Sequence, residues 1–170
     1  MRNTAFGEDA ERVWQAYVSA EAEYIRAEGT LLRAQSHLST LSVDSLYLLL
    51  ERALRGAGER RAALHLLASL DETVRRRLFP ALIDLAAVGH KDIQFVRDVI
   101  VSLDKDWLTK NLPEQVERIL QPSATYEEYR RLAELLSLLH SPLINTLVKQ
   151  AARSSDLDIR EVANDFRSAD

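Results

Sequence analysis

The chain of 170 residues has no cysteine, which removes disulfides, thiol nucleophiles, iron–sulfur clusters and thiolate zinc sites together. Glycine and proline are scarce, at five and four, so there is little material for tight turns. Aromatic residues make up only 6%, poor stock for a sheet. The longest apolar runs, such as Leu46–Leu50, are far too short to cross a bilayer. Nor does an apolar leader follow Met1, since Gly7 runs straight into Glu8 and Asp9; a cytoplasmic, reduced setting is the simplest expectation. An excess of positive charge is also missing. The net charge is −4 and the sequence pI about 5.6, whereas a general nucleic-acid binder usually leans the other way.

What remains is Leu and Ala, 28 + 21 = 49 of the 170 residues. With 46% hydrophobic and 28% charged residues the chain has the composition of one folded domain spanning 1–170, rather than of a disordered segment. The Leu and Ala bias favours an all-α fold. The basic residues are 18 Arg and only 4 Lys. Seven of the arginines (Arg52, Arg55, Arg60, Arg61, Arg75, Arg76 and Arg77) fall within residues 51–77, against four acids there. One locally basic region thus sits in an acidic chain.

Apolar positions follow helical periods throughout, and no segment alternates as a half-buried strand does. The pattern predicts nine helices, at about 8–38, 43–55, 58–69, 71–88, 91–102, 104–121, 125–139, 141–153 and 156–167. Gly56-Ala57-Gly58, Gly89-His90, Gln121-Pro122-Ser123 and Ser154-Ser155 punctuate them. Asp71, Asp104 and Thr125 are expected N-caps. Thr125 with Glu128 three residues on reads as a capping box, in which two orphan backbone donors are satisfied reciprocally.

The chain also repeats itself. Ser69-Leu70-Asp71 recurs 33 residues later as Ser102-Leu103-Asp104, and Pro80 recurs as Pro113 at the same spacing, with Pro142 following 29 later. Seventeen or eighteen residues after each proline lies an arginine among apolar residues: Arg97, Arg130 and Arg160. Arg61 holds the corresponding place in an earlier copy that lacks the proline. Such units are helix pairs whose apolar stripes must be buried by stacking on neighbours. A proline inside a helix removes one hydrogen bond and bends it, which lets successive pairs curve; the alternative is that Pro80 or Pro113 simply ends a helix.

The stretch from Leu78 through Pro80, Asp92 and Val96-Arg97, and the stretch from Ser155 through Asp158-Ile159-Arg160 to Ala163, resemble HEAT repeats. The resemblance covers about 43–167, or four helix pairs. The third copy departs from it, with Thr125-Tyr126-Glu127-Glu128 in place of the Asp-containing turn. It implies a right-handed α-α superhelix, with Pro80, Pro113 and Pro142 marking the first helices and Arg97, Arg130 and Arg160 in a polar ladder between repeats.

The segment 8–38 differs from the repeats. Ala10, Tyr17, Tyr24, Leu31 and Leu38 lie seven apart, as do Val13, Ala20, Ala27 and Ala34, a seam with one large and one small position. Trp14, Val18, Ile25 and Leu32 widen it. Such a broad face is expected to cap the first repeat, while the seam also fits pairing with a second copy as a homodimer. Gly29-Thr30 is a candidate break.

Candidate chemistry is sparse. His37, His65, His90 and His140 sit in separate segments with no His–Glu spacing of a metal motif, and the carboxylate pairs Glu127/Glu128 and Asp156/Asp158 suit helix N-termini. No Gly-rich phosphate loop or nucleophile elbow occurs. No catalytic residue, cofactor or metal is therefore expected. Trp107 is expected to cover a repeat junction, or else to anchor a partner. A non-enzymatic protein-interaction module (a scaffold, adaptor or inhibitor-type partner) is the leading expectation, with Arg52–Arg77 facing an acidic protein surface. Nucleic-acid binding or repair through the same arginines is the second.

Overall fold

A computed structural model of the chain describes residues 7–167, which form ten helices with no strand among them. No helix of the described residues is long and apolar enough to cross a membrane. Contacts divide the chain between Leu46 and Tyr47 into two compact units.

The first unit is dominated by α1 (Glu8–Leu38), 31 residues without interruption. Gly29 and Thr30 do not break it, because the Thr30 hydroxyl donates back to the Arg26 carbonyl at 3.0 Å and the turn is retained. Glu8, Asp9 and Glu11 occupy its first turn and His37 its last, as the helix dipole favours. No residue of α1 is buried. The large side chains of its apolar face are exposed: periodicity sets which side of a helix is apolar, not what covers it.

In the second unit, α2 (Val43–Arg55, from Tyr47 onward) and α3 (Arg60–Ser69) are followed by the helices α4 (Glu72–Arg77), α5 (Phe79–Ala86), α6 (Ile93–Val101), α7 (Lys105–Ile119), α8 (Tyr126–Leu138), α9 (Leu143–Ala151) and α10 (Leu157–Asp165). Helix α5 packs on α6 and α6 on α3; α8 packs on α9 and α10, and α9 on α10, while α5 also touches α7 and α8. The core is the sum of these contacts. Phe79, Leu82, Ile83 and Ala86 of α5, Val96, Val99 and Ile100 of α6, Leu132, Ala133, Leu135 and Leu136 of α8, and Ile159, Val162 and Ala163 of α10 are all buried.

The repeated Ser-Leu-Asp marks two equivalent helix starts. Asp71 accepts from the Thr73 N–H at 3.0 Å and Asp104 from the Trp107 N–H at 2.8 Å. Thr125 and Glu128 form the full capping box, with Thr125 N–H donating to Glu128 Oε2 at 2.6 Å and Glu128 N–H to Thr125 Oγ1 at 3.3 Å. Asp156 caps α10. At the end of α8, Ser141 N–H donates to Leu136 O and His140 N–H to Ser137 O. This is a Schellman closure, and it requires the left-handed conformation His140 adopts, at φ 49°.

The prolines do not play one part. The expected helix 71–88 is two helices interrupted at Leu78 (ψ 0°), and Pro80 lies at the start of α5. Pro113 stands inside the unbroken α7. Pro142 is the N-cap residue of α9, where its missing N–H costs nothing. The regular bend expected in each first helix therefore reduces to one break, one internal proline and one helix start.

Candidate interaction surfaces

Along α1, rows of large apolar side chains run side by side. Tyr17, Tyr24 and Leu31 form one row, and Val18, Ile25 and Leu32 the adjacent one. These residues, with Val13 and Trp14, are 39–66% exposed. Trp14 and Tyr17 stack at 5.6 Å, which stiffens the N-terminal end of the face without removing it from water. These side chains form one contiguous exposed apolar face along the helix.

The seven arginines between residues 52 and 77 fare differently, being largely engaged within the molecule. Arg55 Nη2 donates to Glu51 at 2.8 Å, and Arg60 Nε donates to the Leu54 carbonyl at 2.8 Å. Arg61 lies 3.7 Å from Asp92 and its guanidinium sits 4.9 Å from the Phe95 ring centre. Arg75 Nη1 donates to the Ser102 hydroxyl at 2.7 Å. Arg76 grips Glu72 through Nε and Nη2 at 3.1 and 3.0 Å and lies over Trp107, and Arg77 covers the Tyr47 ring at 4.2 Å. Arg52 has the loosest ion pair, 3.8 Å from Glu59 with both side chains well exposed.

Two of these contacts hold the fold together. Asp92 is 1% exposed and neither of its carboxylate oxygens has a hydrogen-bond partner, so Arg61 supplies the nearby positive charge that a buried carboxylate needs. Glu72 accepts from Arg76 and also from the Asp104 N–H at 2.8 Å. That backbone bond, above all, lowers the Glu72 pKa. It joins α4 to the start of α7 across 32 residues. Trp107 packs edge-on against Phe79 with ring centres 5.0 Å apart, so it lies over the α5–α7 junction.

Arg97 and Arg130 link alternate helices, α6 to α8 and α8 to α10. Arg97 Nη2 donates to Glu134 at 2.5 Å and to the Arg131 carbonyl at 3.4 Å. Arg131 Nη1 shares the same carboxylate at 3.1 Å. Burial alone would raise the Glu134 pKa, but the hydrogen bonds and charges of Arg97 and Arg131 outweigh it and lower the value. Arg130 Nη2 donates to Asp165 at 2.5 Å and its Nε to the Tyr126 hydroxyl. Arg160 departs from the expected ladder: its Nη1 donates to the Ser154 and Ser155 carbonyls, closing its own turn, and no further helix pair follows among the described residues for it to reach.

Further partners lie on opposite helices, where the sequence alone does not assign them. Arg118 Nη2 donates to Asp84 at 2.6 Å and to the Pro80 carbonyl at 3.2 Å, joining α7 to α5. Gly89 N–H donates to Glu127 Oε1 at 2.9 Å. A Cβ at Gly89 would lie 2.5 Å from that oxygen, so the glycine permits the approach. A sequence signal existed in each case, an acid about 34–38 residues from a basic or glycine partner, but spacing alone does not choose among the acids.

A further depression lies between α7 and α9. Cavities of about 520 and 510 Å³ meet at Pro113 and Leu143, the first lined also by Leu108, Leu112 and Leu138 and edged by Lys105 and His140. Its chemistry is apolar contact with a cation at the rim. Among the histidines, His65 is exposed and rests on Phe95 at 5.1 Å. His90 Nδ1 accepts from the Asp92 N–H at 3.2 Å, and burial, followed by the Arg60 charge, pushes its pKa down. Among the described residues, no group of three or more His, Asp or Glu is placed to hold a metal ion.

Comparison with protein-family models, with curated proteins and with solved structures finds no match to this chain.

Proposed function

We propose that the chain is a non-catalytic protein-interaction module, a small HEAT-like stack of helix pairs that presents α1 to a partner, as a scaffold, adaptor or inhibitor-type protein does. The observation that carries this reading is the exposed apolar face of α1, where eight large side chains stand in water on a helix with no buried residue. A helix already formed over 31 residues limits the ordering cost of binding.

The internal engagement of Arg55, Arg60, Arg61, Arg75 and Arg76 favours a protein partner on α1 over a nucleic acid on the arginines. A guanidinium already holding a carboxylate gains less from a phosphate. Two measurements separate the readings. Affinity capture from the native cytoplasm should return a stoichiometric protein complex with the unaltered chain and lose it with Tyr24→Glu/Leu31→Glu. Capture that is indifferent to those changes would remove the support for α1. A gel shift with duplex DNA at low salt should show no binding; a salt-dependent shift lost in Arg75→Glu/Arg76→Glu/Arg77→Glu would favour the nucleic-acid reading instead.

A further inference from the structure

The face on α1 is not uniformly apolar. On a helix, residues three and four apart are neighbours. Glu21 therefore lies against Tyr17, Val18, Tyr24 and Ile25, and Glu28 against Tyr24, Ile25, Leu31 and Leu32. Each carboxylate stands in the furrow between the two large rows, ringed by apolar side chains. The bases of the same helix are spent elsewhere. Arg12 pairs with Asp9 at 2.7 Å, Arg26 donates to the Ala22 carbonyl, and Arg33 donates to Thr30. Glu21 and Glu28 thus have no ion-pair partner among the described residues, and α1 carries six acids against three bases.

We infer that the α1 face receives a basic amphipathic helix of a partner protein, with apolar side chains on the Tyr17 and Val18 rows and Lys or Arg set against Glu21 and Glu28. This rests on the interaction reading above and gives its partner a chemistry. Binding brings water-excluding contact around both glutamates, and a buried carboxylate requires a cation. The two lie seven residues apart, about 10.5 Å along the axis, so cations seven residues apart on a parallel or antiparallel helix match both. A second copy of α1 offers no cation on this face and would bring like charges together, which is unfavourable. An anionic membrane or nucleic acid meets the same repulsion.

Charge exchange tests the inference. The full chain is titrated by fluorescence anisotropy with two labelled 21-residue synthetic helices. They share one apolar Leu face and differ only in the row beside it, Lys in one and Glu in the other. The unaltered chain should bind the Lys helix at least tenfold more tightly than the Glu helix. The doubly exchanged chain, Glu21→Lys/Glu28→Lys, should reverse that order, with its helix content confirmed by circular dichroism. Both positions are exposed, so the exchange leaves the fold in place. Equal binding of the two helices would overturn the basic-partner inference and leave the interaction reading standing. Failure to bind either helix would overturn the inference, while the capture experiment decides the broader reading on its own. Self-association in sedimentation that is abolished by Tyr24→Glu would assign the face to a second copy and overturn the inference as well.

Discussion

Helices α1 and α8 are built from similar stock, amphipathic and rich in Leu and Ala, yet they end in opposite environments. Of the 13 residues of α8, five are buried; of the 31 of α1, none is. Helix α8 has α9 and α10 against it and bonds from Arg97 and Arg130 tying it in on either side. The apolar face of α1 is accompanied by unpaired carboxylates. Amphipathicity states only that a face wants cover. For α8 the cover comes from α9 and α10, whereas the large apolar side chains of α1 remain exposed.

The largest expected effect breaks or confirms that contrast directly. Leu132→Ala in α8, at a fully buried site, should lower the unfolding free energy by about 2–5 kcal/mol, the transfer and cavity cost of a core truncation. Ile25→Ala on α1, at 59% exposure, should stay within about 0.5 kcal/mol. Urea titration of both variants checks it, and similar losses would mean the α1 face is covered in solution.

A smaller effect sharpens what joins the stack. The lowered pKa of Glu134 means that its ionised form is favoured by folding. The associated stability is present above the ordinary carboxylate value of 4.5 and is lost as pH falls through the lowered folded value. Glu134→Gln should cost about 1–3 kcal/mol at pH 7, by leaving Arg97 without its charged acceptor. It should also flatten the acid limb of the stability–pH curve relative to the unaltered chain.

The smallest effect is a gain. His140 holds a left-handed conformation that glycine adopts without penalty. His140→Gly should raise stability by up to about 1 kcal/mol, read as a higher urea midpoint with an unchanged slope.

Much of the fold was legible in the sequence. Helices α1 and α2 begin and end where periodicity and punctuation place them, and the caps at Asp71, Asp104 and Thr125 follow from short-range chemistry. These features depend on residues within a turn of each other. The break at Leu78 was not legible, because a proline nine residues after an N-cap ends one helix at Pro80 and is absorbed by another at Pro113; the choice lies in backbone angles that the residue types leave open. The arginines of 52–77 illustrate the same limit for a site. Their number was plain, and the Glu72–Arg76 pair is an ordinary i,i+4 contact, but Asp92 and Ser102, which engage Arg61 and Arg75, lie at the ends of another helix whose register no spacing specifies. The position of Glu21 and Glu28 between the apolar rows of α1 follows from helical spacing alone.

The bonds that tie one helix pair to another carry a kinetic consequence. Arg75 to Ser102 spans 27 residues, Glu72 to Asp104 32, Arg118 to Asp84 34, Arg130 to Asp165 35, Arg97 to Glu134 37 and Gly89 to Glu127 38. Each closes a loop of about one repeat, and loop-closure entropy rises only slowly over that range. None of these steps has to wait for distant parts of the chain to meet. Non-local contacts of this modest span are made earlier than ones between distant parts of a chain. Each of these ties can form once about 40 consecutive residues are present, including while the remainder of the polypeptide is still being synthesised.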